Sequence, residues 1–482
     1  MDYTAGSKGH YRGGKFDIPE NAISSGMNAF FIPENLNLAA LTSFVQKRNH
    51  QKSYVDRMLF IISTITTNQI ESKTSASAFV PLHAKTLMHY VGKKSFSKVM
   101  KDLKELEIVE VNGNYRFGSA GYGWCKSYRL TEKYRTRFVE VPTTFAEGKS
   151  RYKFAKPKQD EQLTEKDFTE EHLYLKKLHD SIELADEPID LSGEKDTDSY
   201  NQRLYAINKI KRGDLFFSVG SQSGRVTNSV TNFPKEQRKQ LRLHGKPMLN
   251  IDISNCHPLL LVTLYRFPSL EKEVFQKVVE KGQFYDVLCK QLKAKYSSLP
   301  PEKIAAKMER CTVNEVKKKY VQFANASLDD LAKWEHTLIK DIEAVMSELF
   351  PELSAEIRKA KKRASLAVVL QKKESALIVG AVIGSLRKRG IAALTVHDSL
   401  MCFQEDADLV ARVIQSCCRK LYNLSPHLKV NGHPYVVSNE PLPPEPEDVD
   451  LDKILENLDS EIEQSENESL EILLQGLENH AA

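Results

Sequence analysis

The chain has 482 residues, of which 41% are hydrophobic and 28% charged. That is soluble globular material, enough for about two to four domains at roughly 100–200 residues each. The longest near-apolar run, LIVGAVIGSL at 377–386, is about half of the ~20 residues a bilayer span needs, so no membrane partner is expected. The opening MDYTAGSKGHYRGGKFD lacks the apolar stretch of a secretory leader. Seven cysteines, an odd number without CxxC spacing, argue against a disulfide framework or a Cys-rich zinc site and point to a reducing, cytoplasmic setting.

The net charge of +5 is unevenly spread. Residues 440–482 hold 14 Asp and Glu against one Lys, which leaves the preceding body with 68 Lys and Arg, 50 Asp and Glu, and a charge of +18. A basic body with an acidic tail matches nucleic-acid phosphate in charge, although basic ribosomal, chaperone and membrane-surface proteins share the layout.

Residues 1–37, rich in Gly, Asn and Ser, read as a flexible arm. Over 38–145 the patterning predicts three helices and a hairpin: SYVDRMLFIISTITTN, VPLHAKTLMHYV, KSFSKVMKDLKELEIVEV, then NGNYRFGSAGYGWCKSYRLT. That order is the order of a winged-helix DNA-binding domain. Its second helix would start near Leu82 and its recognition helix near Lys94, presenting Lys93, Lys94, Ser95, Ser97, Lys98 and Lys101 to phosphates and base edges. Winged helices also dock proteins, and the pattern does not separate the two uses. Residues 146–200 read as a polar linker with a helix around His172–Leu184.

Residues 201–438 form a second, larger domain. Beyond it, EPLPPEPEDVD breaks regular structure, and 439–482 reads as an acidic, disordered tail. It contains two amphipathic stretches, DLDKILENLDSEI and SLEILLQGLEN. The tail is a solvated leash, a docking peptide for replication proteins, or a shield for the basic groove.

Two segments of the larger domain carry chemistry. KPMLNIDISNCHPLLLV (246–262) runs an apolar strand into Asp252, and GIAALTVHDSLMCF (390–403) sets Asp398 at a bend between two apolar stretches. A carboxylate at the end of a buried strand needs compensation. Two of them offer hard oxygen ligands to divalent cations ~3.5–4 Å apart, the arrangement for in-line phosphoryl displacement. Buried Asp residues also cap turns, so spacing alone does not decide. His257 follows Cys256, and adjacent side chains rarely share one metal, which argues against zinc. Vicinal Cys417 and Cys418 sit on an amphipathic helix and read as core. Tyr285 is placed to stack on a base or simply to pack.

DISNCHP resembles motif A, and VHDSL resembles motif C, of the family A polymerase superfamily, which includes DNA polymerase I-type enzymes and bacteriophage-type single-subunit RNA polymerases. VLQKKESALIVGAVIGSLRKRG (369–390) resembles the helix preceding motif C, with Gln371, Glu374 and Ser375 on one helical face. The similarity spans roughly 220–425. GRVTNSVTNFPKEQRKQLRLHGKPMLNIDISNCHP is similar to a divergent phage and mobile-element branch. The nearest match to motif B, RCTVNEVKKKYVQFANAS (310–327), lacks the usual Tyr-Gly. Motif C is His-Asp-Ser, as in the RNA polymerase branch, and motif A lacks the Glu that helps DNA polymerases exclude ribonucleotides. The product, DNA or RNA, stays open.

The resemblance implies an α+β fold, a right-hand palm and fingers preceded here by the winged helix. It implies a template-directed nucleotidyltransferase, a DNA polymerase or primase-polymerase, with Asp252 and Asp398 holding two Mg2+ ions, for which Mn2+ substitutes. It assigns Arg225, Arg310, Lys317, Lys319, Tyr320 and Phe323 to the nucleoside triphosphate. Ser254, Arg238, Arg242, Gln371 and His397 fall to the primer and template. Arg238 and Arg242 are spaced as i and i+4 on a helix. The alternatives are a non-catalytic replication initiator that binds origin DNA through the winged helix, and a single-subunit RNA polymerase.

Overall fold

The computed structural model describes residues 29–48, 53–72, 74–82, 84–113, 116–117, 123–124, 126–142, 163–187, 189–194, 196–334, 337–363 and 365–444. The first 28 residues, much of the glycine-rich hairpin and both amphipathic stretches of the tail lie outside that range. The fold is mixed α+β and divides into two compact units, 1–160 with 186–216 and 233–237, and 161–185 with 217–232 and 238–482.

The spine of the first unit is the helix Ser53–Glu71. Met58, Ile61, Ile62 and Ile65 are fully buried along it, and so are Ser63, Thr66 and Thr67. The polar side chains are tolerated because they are bonded: the threonine hydroxyls return to a backbone carbonyl four residues earlier, Thr64 to Phe60 (2.7 Å), Thr66 to Ile62 (2.9 Å) and Thr67 to Ser63 (2.9 Å), and the Ser63 hydroxyl accepts from the Phe31 N–H at 3.1 Å. The helices Ala84–Val91 and Lys93–Glu105 meet at Gly92, whose φ of +89° suits only glycine. A three-stranded antiparallel sheet follows, in the order Val80–Pro81, Ser127–Leu130, Val109–Asn112. The Lys93–Glu105 helix buries Phe96, Val99 and Leu103, and the buried Asp102 pairs with Arg48 at 2.7 Å and accepts from the Tyr54 hydroxyl at 2.6 Å. Its opposite face exposes Lys93, Lys94, Ser97, Lys98 and Lys101.

The region expected to be an arm contributes a strand. Ala29–Pro33 pairs antiparallel with Phe138–Pro142, because Phe30, Phe31 and Ile32 are about 1% exposed and need a core. The expected linker over 146–200 contains the helix Glu170–His179, where one was expected, and also the strand Ile182–Leu184; the helix Thr197–Lys211 begins at its end.

The second unit is built on a five-stranded antiparallel sheet, ordered Ala393–Val396, Ser399–Cys402, Leu249–Ile253, Leu428–Val430, His433–Tyr435. Leu249–Ile253 is the central strand. One hydrophobic cluster joins the sheet to the helices Phe284–Ser297, Val313–Asn325, Leu338–Leu349 and Pro351–Arg363. The helix Leu366–Ser375 runs on into a π-helical segment, Ala376–Ile383, whose Leu377, Ile378, Ala381, Val382 and Ile383 are buried. Among the described residues no helix is long and apolar enough to cross a membrane.

Candidate active site

Asp252 sits on the central strand, between Ile251 and Ile253, which point to the core at 0% and 1% exposure, so the strand's alternation turns Asp252 to the other face. Asn255 then takes a left-handed conformation (φ +57°) that turns the chain into the helix Cys256–Leu261. Asp398 lies in the two-residue turn His397-Asp398, because Val396 pairs with Ser399. His397 takes the positive φ (+59°) that a tight hairpin turn demands. The register sets Asp252 opposite Ser399, and the Ile253 N–H donates to the Asp398 carbonyl at 3.4 Å. Ser399 Oγ pins the turn, bonding Asn250 Oδ1 and the Val396 carbonyl, both at 2.9 Å.

The carboxyl of Asp398 is pushed up to about 7, first by burial, then by the neighbouring charges of Asp252 and Glu374; its backbone hydrogen bond and His257 partly oppose the rise. The residue keeps some exposed surface, but its carboxyl is embedded in dense protein, and removal from water outweighs that partial access. Glu374 is a third carboxylate, 2% exposed. One oxygen lies 3.1 Å from Arg225 Nε and the other 2.8 Å from His257 Nε2. The thiol of Cys256 is held well above its usual range by burial and by Glu374, Asp398 and Asp252, which favours its neutral form.

Ser254 is buried, and its hydroxyl shares a 3.0 Å hydrogen bond with His427 Nδ1 while its N–H donates to the His427 carbonyl at 2.9 Å. Burial and the nearby Lys429 lower the His427 pKa. Gly282 closes over the pair with φ +69°; a Cβ there would lie 3.1 Å from Ser254 Cβ and 3.2 Å from His427 Nδ1. Tyr285, 7% exposed, feels the Asp398 charge, which adds to burial in raising its phenol. Lys317 Nζ stands 5.8 Å from the centre of the Tyr285 ring.

The remaining expected residues fall in several places. Tyr320 and Phe323 are core residues, 1% and 4% exposed; Tyr320 packs edge-on against Phe284 and Tyr285 and offers no free face for a base. Lys319 bonds Gln322 on its own helix at 3.1 Å, and Arg310 is exposed at the end of the helix Pro301–Arg310. Gln371 is partly exposed one turn before Glu374. Arg238 and Arg242 do not share a helical face: Arg238 lies on the 3-10 segment Lys235–Gln240 and Arg242 on the strand Leu241–Leu243. Arg238 donates to the Thr231 carbonyl at 3.2 Å and Arg242 to the Lys239 carbonyl at 2.8 Å. The residues that sequence reasoning passed over are Glu374 as an ion-pair centre, His257 as its partner, and His427.

No family model matches this chain, and no curated protein matches it. Among solved structures, the POL domain of Pol1 from M. smegmatis, in complex with DNA primer-template and dNTP, is similar at a TM-score of 0.32 and 16% identity. The match covers 45% of this chain and 47% of that one, so it spans less than half of either.

Proposed function

We propose that the second unit is a template-directed nucleotidyltransferase, a DNA polymerase or primase-polymerase, and that the first is a winged-helix module that binds duplex DNA. The observation that carries this reading is the carboxylate pair. Asp252 lies on the central strand and Asp398 in the hairpin turn leading into the strand paired with it, and their repulsion helps lift Asp398 to about 7. Like charges held together in a buried site are costly unless a cation joins them. Among the described residues no cluster of three or more His, Cys, Asp and Glu side chains makes a ready cage. Two carboxylates that leave the other coordination positions to water and substrate phosphate fit the habit of Mg2+.

Asp252 and Asp398 would hold the divalent ions, which supply charge neutralisation at the attacking and leaving oxygens of an in-line displacement. In that displacement the primer 3′-hydroxyl gives its proton to water as its oxygen forms a bond to the α-phosphorus, the α–β bridge breaks, and pyrophosphate leaves with the electron pair. The hairpin turn and Ser254–His427 fix the two carboxylates. Lys317, over the Tyr285 ring beside Asp398, and Arg225, held by Glu374, are the cations suited to the triphosphate. The exposed lysines of Lys93–Glu105 support the DNA-binding reading of the first unit.

The test is extension of a labelled primer–template with Mg2+, giving deoxynucleotides and ribonucleotides separately, beside an unprimed control. Asp252→Asn and Asp398→Asn should each reduce incorporation at least about 1,000-fold and leave DNA binding intact, with the double variant no worse than either single. Near-normal incorporation by either variant would end the assignment. Incorporation of ribonucleotides alone points to an RNA polymerase. DNA binding without incorporation by the wild-type chain points to a non-catalytic initiator.

A further inference from the structure

We infer that Glu374 is a positioning residue that holds the Arg225 guanidinium so that its terminal nitrogens bind a phosphate of a nucleotide or of a nucleic-acid strand. The proposal rests on the reading above only for the kind of molecule that brings the phosphate. A carboxylate 2% exposed is costly unless its charge is met, and Glu374 meets it with two different side chains, Arg225 at 3.1 Å and His257 at 2.8 Å. Each of its oxygens already faces a nitrogen of another side chain, which gives the residue a set of partners different from those of Asp252 and Asp398.

The closest contact on Arg225 is through Nε. A guanidinium engaged only for structure commonly offers a carboxylate two parallel N–H groups; here Nε makes an ion pair without an aligned hydrogen bond. Nε is buried while the side chain as a whole is 24% exposed, so the exposure belongs to its other atoms. Among the described residues Arg225 makes no other ion pair, and the planar outer edge of its guanidinium matches two phosphate oxygens.

The backbone holds the other end. The Gly220 N–H donates to the Arg225 carbonyl at 3.0 Å and the Gly224 N–H to the Gly220 carbonyl at 2.8 Å, closing a tight turn before the strand Val226–Asn228. Gly224 has φ +63°, and a Cβ on it would lie 3.6 Å from the Cβ of Ser375, the neighbour of Glu374. With its main chain fixed by the turn and its Nε by Glu374, Arg225 loses little further rotamer freedom when a phosphate arrives. His257, on the helix just after Asp252, ties the same carboxylate to the strand of the metal pair.

The test is direct binding to the full chain in magnesium-free buffer, where no turnover occurs. One arm titrates dATP and the other a DNA hairpin with a recessed 3′ end; the arm that responds identifies the source of the phosphate. Arg225→Gln and Glu374→Gln should each weaken the same arm by about tenfold or more, and the double variant should be no weaker than Arg225→Gln alone, because Glu374 acts through Arg225. A merely structural Glu374 would not give that non-additivity. Unchanged binding by Glu374→Gln, additive losses, or no binding of either probe by the wild-type chain would overturn the inference. Should Glu374→Gln fail to fold, Arg225→Lys decides: its single ammonium cannot serve Glu374 and a phosphate in the same fork, so the same loss is expected and full retention refutes it. Because binding is read without catalysis, failure of primer extension with these results intact would sink only the polymerase reading.

Discussion

Asp398 carries its charge against its surroundings, and this sets function against stability at one residue. Its folded-state pKa of about 7 lies above the ordinary Asp value of 3.8. For such a group the native-state advantage is complete below the unfolded pKa and is lost as pH rises through the folded one. Asp398→Asn removes that dependence, since an amide does not titrate. Without divalent cations, the variant should therefore melt about 2–5 °C above wild type at pH 8. The gap should grow from about pH 4 to pH 7 and level off above it, and melting curves in EDTA across that range check it. Equal melting temperatures at every pH would mean that Asp398 is not strained. The placement of the two aspartates, one on an apolar strand and one at the bend between two, was legible in the sequence, because a charge among apolar residues stands out. Glu374 was not: its helix position showed only a face shared with Gln371, and its partners Arg225 and His257 are distant in sequence.

At the scale of elements, the helix Val313–Asn325 is held at its C-terminus by one side chain. Lys361, on the helix Pro351–Arg363, donates to the carbonyls of Phe323 (2.7 Å), Ala324 (3.0 Å) and Ala326 (2.6 Å). Burial lowers the ammonium to about 8, yet its three donors meet carbonyls at the helix end, of which that of Phe323 also accepts from the Ala326 N–H at 3.3 Å. Lys361→Met keeps the apolar stem and removes these three hydrogen bonds, at about 1–3 kcal/mol. Faster amide exchange over 313–325, the segment carrying Lys317, should accompany a lower unfolding midpoint in urea; unchanged exchange there would show that the cap is dispensable. Elements with a strong period, such as Lys93–Glu105, were readable. Ala29–Pro33 was not, since five apolar residues in a Gly- and Asn-rich stretch show no alternation and the strand exists only through its partner Phe138–Pro142. KEQRKQLRL read as one helix because its basic residues recur at helical spacing, but the chain passes from a 3-10 turn into a strand that pairs with Ile182–Leu184. The π segment Ala376–Ile383 is apolar at nearly every position, so no period could reveal it.

Across the whole molecule the governing quantity is charge. A body of +18 with an exposed lysine face on Lys93–Glu105 should bind duplex DNA with an affinity that falls steeply as salt rises, because each neutralised phosphate releases counterions. Lys94→Glu with Lys98→Glu should weaken full-length binding at least about tenfold for every duplex sequence and flatten the salt slope; salt-insensitive binding would mean that this face docks protein. The acidic C-terminal segment acts on the same balance. Cutting after Pro444 removes 13 of the 14 carboxylates but spares the carbonyls of Glu440, Pro441 and Pro443, which accept from Arg412 and Arg389. If the basic surface binds nucleic acid, the tethered carboxylates should stay at high effective concentration and compete for it. Exposed charges are screened over ~10 Å at 0.1 M salt, so the competition belongs to low ionic strength. Removing 445–482 should tighten binding to non-specific duplex DNA about three- to tenfold at 0.02 M salt and leave it unchanged at 0.3 M, read by anisotropy of a labelled duplex. Equal affinities at low salt would show that the segment does not compete, and its two amphipathic stretches would then be read as a docking peptide for another protein.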